Sequence, residues 1–302
     1  MKIKEKINWR FKLVKKLINQ GKFKFTDFFY IFLPNDALKR KKELEIIKKN
    51  INENTPITIK KANFNLFILK FYEFKIIVPK SILYNTVITI MDFGLPLLHK
   101  DDYEKKFKFP RREGPYELQS CKIQKGDFVI DAGANMGIFS ILVSERVGKN
   151  GKVFSFEPIK RTNNIFSKNI QINKIKNCLN LKYALGHTKE KKEFFISNNK
   201  LDAASMFKNK ERAKKEIVKQ IRLDDFMKDN NIKKLNFIKA DIEGAERYLL
   251  EGAQETIKKF KPKISICTYH FENDKEIITK ILKNYVPEYN IECRYKKLYA
   301  YI

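Results

Sequence analysis

Apolar runs of strand length alternate with segments of helical periodicity through the second half of the chain. Five runs, rich in β-branched and aromatic residues, lie within 128–132, 151–158, 178–186, 235–246 and 261–270. Several of the intervening segments carry apolar residues at the spacing of a helix. This alternation predicts an α/β fold with a mostly parallel central sheet and helices on both faces. The last segment, 289–302, predicts a terminal antiparallel strand pair.

The first part of the chain has a different pattern and no recognisable catalytic motif. We predict an N-terminal extension of helices and strands over 1–110, of unassigned role, ahead of a main domain over 111–302. The extension opens with a basic amphipathic helix that carries Trp9, Phe11 and Leu13 on one side. That side could lie on an anionic membrane surface, or pack on the body of the protein, which we favour.

The stretch "FVIDAGANMGIFSIL", 128–142, joins a predicted strand to a predicted helix through an acid and two glycines. Gly133 and Gly137 allow a tight turn and a close approach of another group to the backbone. In parallel sheets of this kind, ligands bind beyond the carboxyl ends of the strands. Five polar or small residues fall at such ends, namely Asp131, Glu157, Ala184, Asp241 and His270.

Two of these acids distinguish between nucleotide-type cofactors. The pattern here is D-x-G-x-N-x-G rather than the G-x-G-x-x-G of dinucleotide sites. Asp131 would repel a pyrophosphate, whereas it suits a cationic group or can fix the loop by accepting backbone N–H bonds. Glu157 can accept bonds from both hydroxyls of a ribose. These features favour S-adenosylmethionine, which has an adenosine, a cationic amino-acid end and no phosphate, over an NAD-type cofactor.

Several motifs together resemble the FkbM-type methyltransferases. The segments are "VIDAGANMGIFS", "VFSFEP", "YALG", "LDDF", "FIKADIEGAE" and "PKISICTYH", spread over roughly residues 112–300. The resemblance implies a Rossmann-like methyltransferase fold for the domain over 111–302. It also implies S-adenosylmethionine as cofactor and O-methylation of sugars, glycolipids or polyketide-like products.

Carried over residue by residue, the resemblance implies a cofactor site along the sheet edge. The glycine loop would line the methionine end, Glu157 would hold the ribose, and the "YALG" turn would border the adenine. The whole predicted cofactor set is Asp131, Gly133, Asn135, Gly137, Glu157, Ala184, Leu185 and Asp241.

The acceptor side is predicted from the chemistry of methyl transfer. A sugar hydroxyl is a poor nucleophile and gains from a general base. His270, one of three histidines, is the predicted base or acceptor-orienting group, with Asp241 as its rival. Lys239 completes the predicted catalytic set and is expected to form an ion pair. The remaining structural or acceptor-side residues are Tyr116, Asp224, Glu243, Gly244 and Glu246.

The insertion 187–222 separates the third and fourth predicted strands. Its pattern predicts a strand, a loop and a charged segment that returns to a strand. The insertion is either an acceptor loop or a solvent-facing hairpin that extends the sheet, and the two are compatible.

Metal and disulfide chemistry are not predicted. The four cysteines are far apart and form no C-x-x-C pair, which fits a reducing compartment. A divalent ion held by Asp241 and neighbouring acids is chemically feasible, but no His–carboxylate cluster at ligand spacing along the sequence demands it.

The net charge of +28 allows several acidic partners. Lysine far outnumbers arginine without a dense arginine stripe, which favours a solvated coat over a nucleic-acid surface. A DNA partner is therefore not expected, and a glycan or lipid-linked acceptor is what the resemblance to the FkbM-type methyltransferases implies. RNA methylation is the weaker alternative, because no N-P-P-Y-like tetrapeptide follows the fourth strand. A non-catalytic module on the same fold is a second alternative, disfavoured because Asp131, Glu157 and Asp241 are all present.

The expected location is the cytoplasm. No apolar run reaches the roughly 18 residues that a membrane helix needs. The basic N-terminus lacks the uninterrupted apolar core and cleavage site of a signal peptide. Peripheral contact with the inner face of the membrane through that N-terminus is compatible with this location.

Overall fold

The computed structural model describes residues 57–63, 66–71, 73–79, 86, 89–90, 114–196, 204–207 and 214–302. These residues fall into two compact units, one holding 57–79 and the other holding the described residues from Thr86 onward. The helices predicted before residue 57, including the basic helix, lie outside the described residues. Among the described residues, no helix is both long and apolar enough to cross a bilayer.

The first unit contains a three-stranded antiparallel sheet in the order β1-β2-β3. Its strands are β1 (Ile57–Lys61), β2 (Leu66–Phe71) and β3 (Phe74–Pro79). Alternate residues of β2 and β3 are buried and lie opposite one another, as in the Leu69–Ile76 pair. A strand with this period buries one face only. The segment 66–79 therefore forms a two-stranded hairpin within the part of the chain predicted to contain strands.

The second unit is built on a seven-stranded sheet in the order β13-β14-β12-β11-β4-β5-β6. Five strands are parallel, and β13 and β14 are the predicted antiparallel pair at one edge. All four residues of β11 are buried, which requires cover on both faces of the sheet. The strands are β4 (Phe128–Ala132), β5 (Lys152–Phe156), β6 (Cys178–Leu181), β11 (Phe237–Ala240), β12 (Lys263–Cys267), β13 (Asn290–Arg294) and β14 (Lys297–Tyr301).

Helices connect the strands of this sheet and close its apolar core. The described helices are α1 (Ile138–Val147), α2 (Lys160–Ile172), α3 (Leu223–Asp229), α4 (Glu246–Glu251), α5 (Gln254–Phe260) and α6 (Asp274–Tyr285). The core combines strand residues such as Ile130 and Ile266 with helix residues such as Leu249 and Ile278. The observed order, a parallel sheet with a terminal antiparallel pair, confirms the predicted Rossmann-like methyltransferase fold.

The insertion forms a sheet of its own in the order β7-β10-β8-β9. Its strands are β7 (Ala184–Leu185), β8 (Glu190–Ile196), β9 (Ala204–Ser205) and β10 (Lys214–Ile221). The third predicted strand, 178–186, divides because the chain turns after Leu181, whose carbonyl accepts the N–H of Tyr183 at 2.9 Å. The predicted strand, loop and returning strand are present as the antiparallel pair β8 and β10, but this pair joins β7 in a separate sheet and does not extend the central one.

Candidate functional site

Asp131 and Lys239 face each other across adjacent parallel strands. The register of β4 and β11 places them side by side, so their side chains leave the sheet on the same face. Their charged atoms are 2.9 Å apart, and both side chains are buried. Ser140 of α1 donates a hydrogen bond of 2.5 Å to the other oxygen of Asp131. The ion pair predicted for Lys239 is present, with Asp131 as its partner.

Lys239 also holds the backbone of the glycine loop. Its ammonium group donates to the carbonyl of Gly133 at 2.8 Å and approaches that of Ala132 at 3.3 Å. Together with the ion pair to Asp131, these contacts hold the ammonium group between the strand end and the loop. Burial lowers the pKa of Lys239, but the carboxylates of Asp131 and Asp241 outweigh it and raise the pKa above its usual value. Lys239 is therefore a positioning residue, and we call Asp131, Ser140 and Lys239 the loop anchor.

The two glycines of the loop are required by contacts within the protein. Gly133 has φ +77°, and a Cβ there would lie 1.9 Å from the carbonyl oxygen of Asp241. Gly137 has φ +82°, and a Cβ there would lie 1.9 Å from the ring of Phe166. The sequence predicted that another group approaches the backbone closely at these glycines. The approaching groups are the carbonyl of Asp241 and the ring of Phe166.

Glu157 lies just past the end of β5 and fixes the same loop. One carboxylate oxygen accepts the N–H of Asn135 and the other that of Ile159, both at 2.9 Å. Asn135 has φ +52°, a left-handed conformation that asparagine tolerates better than most residues. Each oxygen of Glu157 retains a lone pair that can accept a hydroxyl. Burial raises the pKa of Glu157 to about 7, despite the two N–H donors.

Ala184 and Leu185 lie in the short strand β7 and are both buried. Ala184 packs in a small apolar cluster with Ile159, Phe194 and Val218. Leu185 packs in the main core of the second unit. Their side chains are therefore in apolar packing, and contact with an adenine stays a prediction.

Asp241 follows β11 and carries two phenol hydrogen bonds. Tyr116 donates to one oxygen at 2.7 Å, and Tyr269 donates to the other at 3.2 Å. Burial raises the pKa of Asp241, but Lys239, the Tyr116 hydroxyl, Lys297 and His270 together bring it below its usual value. Asp241 is therefore an ionised carboxylate and a weak base. Tyr269 was missed from the sequence, although it directly precedes His270.

Tyr116 is buried between two lysines beside Asp241. The ammonium of Lys239 lies 5.2 Å from the centre of its ring, and that of Lys297 lies 4.4 Å from it. Lys297 itself is fully buried in β14 and donates to the carbonyl of Gly114 at 3.0 Å. No motif in the sequence marks Lys297, because its place in the site depends on the antiparallel pairing of β14 with β12.

Glu246 and His270 meet beside Asp241. Glu246 begins α4, and its two oxygens accept the N–H groups of Ile242 and Gly244 at 2.9 and 3.0 Å. Nδ1 of His270 lies 3.3 Å from Glu246. Burial lowers the pKa of His270, but Glu246, Asp241 and Glu243 outweigh it and raise the pKa to about 8.

Asp241, Glu246 and His270 together form what we call the acceptor-edge cluster. Each offers one potential metal-ligand atom, and these atoms lie within 4.8 Å of one another. The spacing of the three residues along the sequence did not indicate such a group. The fold assembles it from residues that follow the neighbouring strands β11 and β12 and from the start of α4.

The insertion reaches the same edge through Ser205. Its hydroxyl donates to the carbonyl of Glu243 at 2.7 Å. The next residue of the motif, Gly244, has φ +100° and lies under the rings of Phe207 and Phe271. The structure therefore brings part of the insertion into contact with the "DIEGAE" motif, where the sequence suggested an acceptor loop.

Asp224 has a structural role away from these contacts. It accepts the N–H of Thr256 at 2.8 Å and pairs with Arg222 at 3.1 Å. It thereby caps the first turn of α5 from the neighbouring helix α3. Within the described residues, its hydrogen bonds and ion pair join it to none of the strand-end residues.

The charges at this edge fit S-adenosylmethionine better than a dinucleotide. Asp131, Glu157 and Asp241 supply three carboxyl groups, and Lys239 and Lys297 supply two buried ammonium groups. A pyrophosphate would meet like charge here, whereas a cofactor with a sulfonium and an ammonium group would meet opposite charge. The contacts predicted for Glu157 with the ribose, and for Asp131 and the glycine loop with the methionine end, stay predictions.

Comparison with known proteins identifies the family of this domain. The sequence model of the FkbM methyltransferase domain matches residues 131–294. The crystal structure of methyltransferase FkbM from Methylobacillus flagellatus KT is 20% identical, with a TM-score of 0.49, over 63% of this chain and 48% of that chain. This chain therefore spans about half the length of that protein. No curated protein matches the chain.

Two further solved structures are similar at lower identity. A SAM-dependent methyltransferase from Aquifex aeolicus is 14% identical, with a TM-score of 0.38, over 71% of this chain and 96% of that chain. Fibrillarin from Aeropyrum pernix, in complex with natively bound S-adenosyl-L-methionine, is 9% identical, with a TM-score of 0.38, over 82% and 98%. Because the family's sequence model covers more than half of the residues, the chain belongs to the FkbM methyltransferase family, and its domain is an S-adenosylmethionine-dependent methyltransferase.

Proposed function

We propose that the protein O-methylates a sugar hydroxyl of a cell-surface glycan, a glycolipid or a related metabolite. Bound S-adenosylmethionine supplies the methyl group from its sulfonium. The chain's own task is to place the acceptor oxygen in line with that methyl group, which is where most of the acceleration of such a displacement arises.

One observation above all supports a sugar acceptor, namely an aromatic surface next to the acceptor-edge cluster. Phe271 directly follows His270 and is 41% exposed. Its ring meets that of Phe207 from the insertion edge to face, with 5.3 Å between centroids. Sugars present flat C–H faces that pack on aromatic rings, while their hydroxyls bind charged groups nearby.

Arg247 adds a charged group beside this aromatic pair. Its guanidinium lies 5.4 Å from the centre of the Phe271 ring and is held by Asp274. A partly exposed guanidinium beside an aromatic ring suits acceptors that carry hydroxyl, carboxylate or phosphate groups. This supports an acidic or phosphate-linked glycan among the sugar acceptors.

The cofactor half of the proposal is tested by calorimetry with S-adenosylmethionine. Wild type should bind, and Glu157→Ala should bind at least about ten-fold more weakly, because hydrogen bonds to a charged group contribute about 1.5–3 kcal/mol. Glu145→Gln, an exposed change on α1, is the control and should bind like wild type. Absence of binding in wild type would sink the cofactor claim.

The acceptor half is tested by comparing glycans and lipids from a deletion strain and its parent by mass spectrometry. A sugar-containing species should lose the mass of one methylene group and regain it when the gene is restored. Restoration with Phe271→Ala should recover less methylation than restoration with wild type. Unchanged glycans, together with RNA affinity that falls steeply with salt, would favour the RNA alternative.

Cofactor binding without any methylated product would favour the non-catalytic alternative. The predicted cytoplasmic location, and peripheral membrane contact through the basic N-terminus, stay proposals alongside the acceptor.

A further inference from the structure

We propose that the acceptor-edge cluster, Asp241, Glu246 and His270, binds one divalent transition-metal cation. The use of this cation in catalysis rests on the proposed function. Its binding does not, because it depends only on the geometry and chemistry of the three side chains.

The spacing of the three side chains suits a shared ion. Their potential ligand atoms lie within 4.8 Å of one another. Carboxylate oxygens and imidazole nitrogens bind such metals at about 2.0–2.2 Å, so ligand atoms around one ion lie up to about 4.4 Å apart. A small inward movement of the side chains would therefore complete the site.

His270 provides an independent indication of a missing partner. Both ring nitrogens are inaccessible to solvent, and within the described residues Nε2 has no hydrogen-bond partner. Nδ1 lies at 3.3 Å from Glu246, longer than an ordinary N–H···O bond. A buried polar atom without a partner is unfavourable. A cation bound by the imidazole would supply that partner.

The two carboxylates are held in place by groups outside the cluster. Tyr116 and Tyr269 donate to Asp241, and the backbone N–H groups of Ile242 and Gly244 donate to Glu246. Hydrogen bonds of this kind orient metal ligands and keep them ready to bind. Each carboxylate oxygen can accept more than one bond, so these contacts leave lone pairs for a cation.

The ligand set indicates the kind of metal. Two carboxylates suit Mn²⁺ and Mg²⁺, whereas an imidazole suits Zn²⁺ and Fe²⁺, so Mn²⁺ is an appropriate probe of the mixed set. Three protein ligands leave coordination positions open. An acceptor hydroxyl bound in one of them would have a lowered pKa and would release its proton to solvent more readily. In this arrangement His270 is a metal ligand instead of the general base predicted from the sequence.

The test is a titration of the full chain, freed of metal by chelation, with Mn²⁺ followed by the electron paramagnetic resonance of the free ion. Wild type should bind one Mn²⁺ per chain. His270→Gln should weaken binding at least about ten-fold, by loss of a ligand. His187→Gln is the matched control, because that ring stacks on Tyr248 outside the cluster, and it should bind like wild type.

Circular dichroism checks that each variant is folded. If His270→Gln does not fold, Asp241→Asn replaces it with the same expected loss. No Mn²⁺ binding by wild type, or equal affinity in wild type and the ligand variant, overturns the proposal.

Calorimetry with S-adenosylmethionine on the same samples separates the two proposals. Cofactor binding without Mn²⁺ binding overturns the metal site and leaves the proposed function intact. Mn²⁺ binding without cofactor binding supports the metal site and overturns the proposed function.

Discussion

The loop anchor and the acceptor-edge cluster lie at the same edge of the central sheet but differ in how far the protein satisfies their polar groups. In the anchor, Asp131 is fully buried, with one oxygen in an ion pair with Lys239 and the other accepting a hydrogen bond from Ser140. In the cluster, Asp241 is partly exposed and Nε2 of His270 has no partner within the described residues. The charge of Asp131 is compensated within the protein, which stabilises the fold. A buried ring nitrogen without a partner, such as Nε2 of His270, is available to a ligand.

The two regions meet at Gly133. The carbonyl of Gly133 accepts a hydrogen bond from Lys239 of the anchor. Its Cα lies so close to the backbone carbonyl of Asp241 that no side chain fits between them. Changes in the anchor should therefore reduce stability, and changes in the cluster should reduce ligand binding. Variants of the anchor and of Gly133 have the largest expected effect on stability, and those of Glu157 and Asp224 have smaller ones.

Lys239→Met should lower the free energy of unfolding by about 3–5 kcal/mol, because it leaves the buried carboxylate of Asp131 without its counter-charge. Denaturant unfolding measures the loss. Lys234→Met, an exposed change just before β11, should stay within about 0.5 kcal/mol of wild type. Adding Asp131→Asn to Lys239→Met should recover part of the stability. A loss below about 1 kcal/mol would contradict the role given to the anchor.

Gly133→Ala should lower the free energy of unfolding by about 2–5 kcal/mol. About 1–2 kcal/mol comes from a side chain in the left-handed region, and about 1–3 kcal/mol from crowding against Asp241. Gly126→Ala isolates the first contribution, because Gly126 has φ +85° and open space around its Cα. Equal losses in the two variants would show that the contact with Asp241 is unimportant.

The affinity for S-adenosylmethionine should rise about ten-fold between pH 6 and pH 8. The pKa of Glu157 is raised to about 7 by burial, and only its ionised form accepts both ribose hydroxyls. Calorimetry at several pH values measures the change, and Glu157→Gln should remove most of it. A rise of the same size in Glu157→Gln would assign the pH dependence to another group.

The same pKa shift should affect the stability of the protein without cofactor. A carboxyl group with a raised pKa binds its proton more tightly in the folded state than in the unfolded state. Its contribution to stability is therefore present at low pH and is lost as the pH rises from about 4.5 to about 7. Glu157→Gln should flatten that part of the stability–pH curve.

Asp224→Ala should lower the free energy of unfolding by about 1 kcal/mol, because α5 loses its capping carboxylate. The affinity for S-adenosylmethionine should not change. Asp225→Ala, one residue further along α3, is the control and should leave both quantities near wild type. A weakened cofactor affinity in Asp224→Ala would place this residue in the binding site after all.

Much of the fold could be predicted because its signals are local. The alternation of strand and helix patterns located β4, β5, β11 and β12 to within a few residues, and the terminal strand pair as well. The third strand was predicted too long, because the turn after Leu181 interrupts an otherwise apolar run. The sheet that the insertion joins could not be predicted, since strand propensity does not specify which sheet a strand joins.

The sequence predicted most residues of the candidate site, but few of the contacts between them. Asp131, Glu157, Asp241 and His270 were identified because strand ends in a parallel sheet converge on one edge. Lys239 was expected to form an ion pair, but only the register of β4 and β11 selected Asp131 as its partner. Tyr269 and Lys297 were missed because their positions depend on side-chain direction and on the antiparallel pairing of β14.

By itself, the sequence determined the order of the elements, the family, and the acids that stand at the strand ends. These properties depend on short-range periodicity and on motifs that are contiguous in the chain. Only the tertiary structure decided which of those acids form an ion pair within the protein and which remain available to a ligand. It alone brought Asp241, Glu246 and His270 together into one cluster. The reason is physical: hydrogen bonds and ion pairs between distant residues depend on strand register and sheet order, which local patterns do not specify.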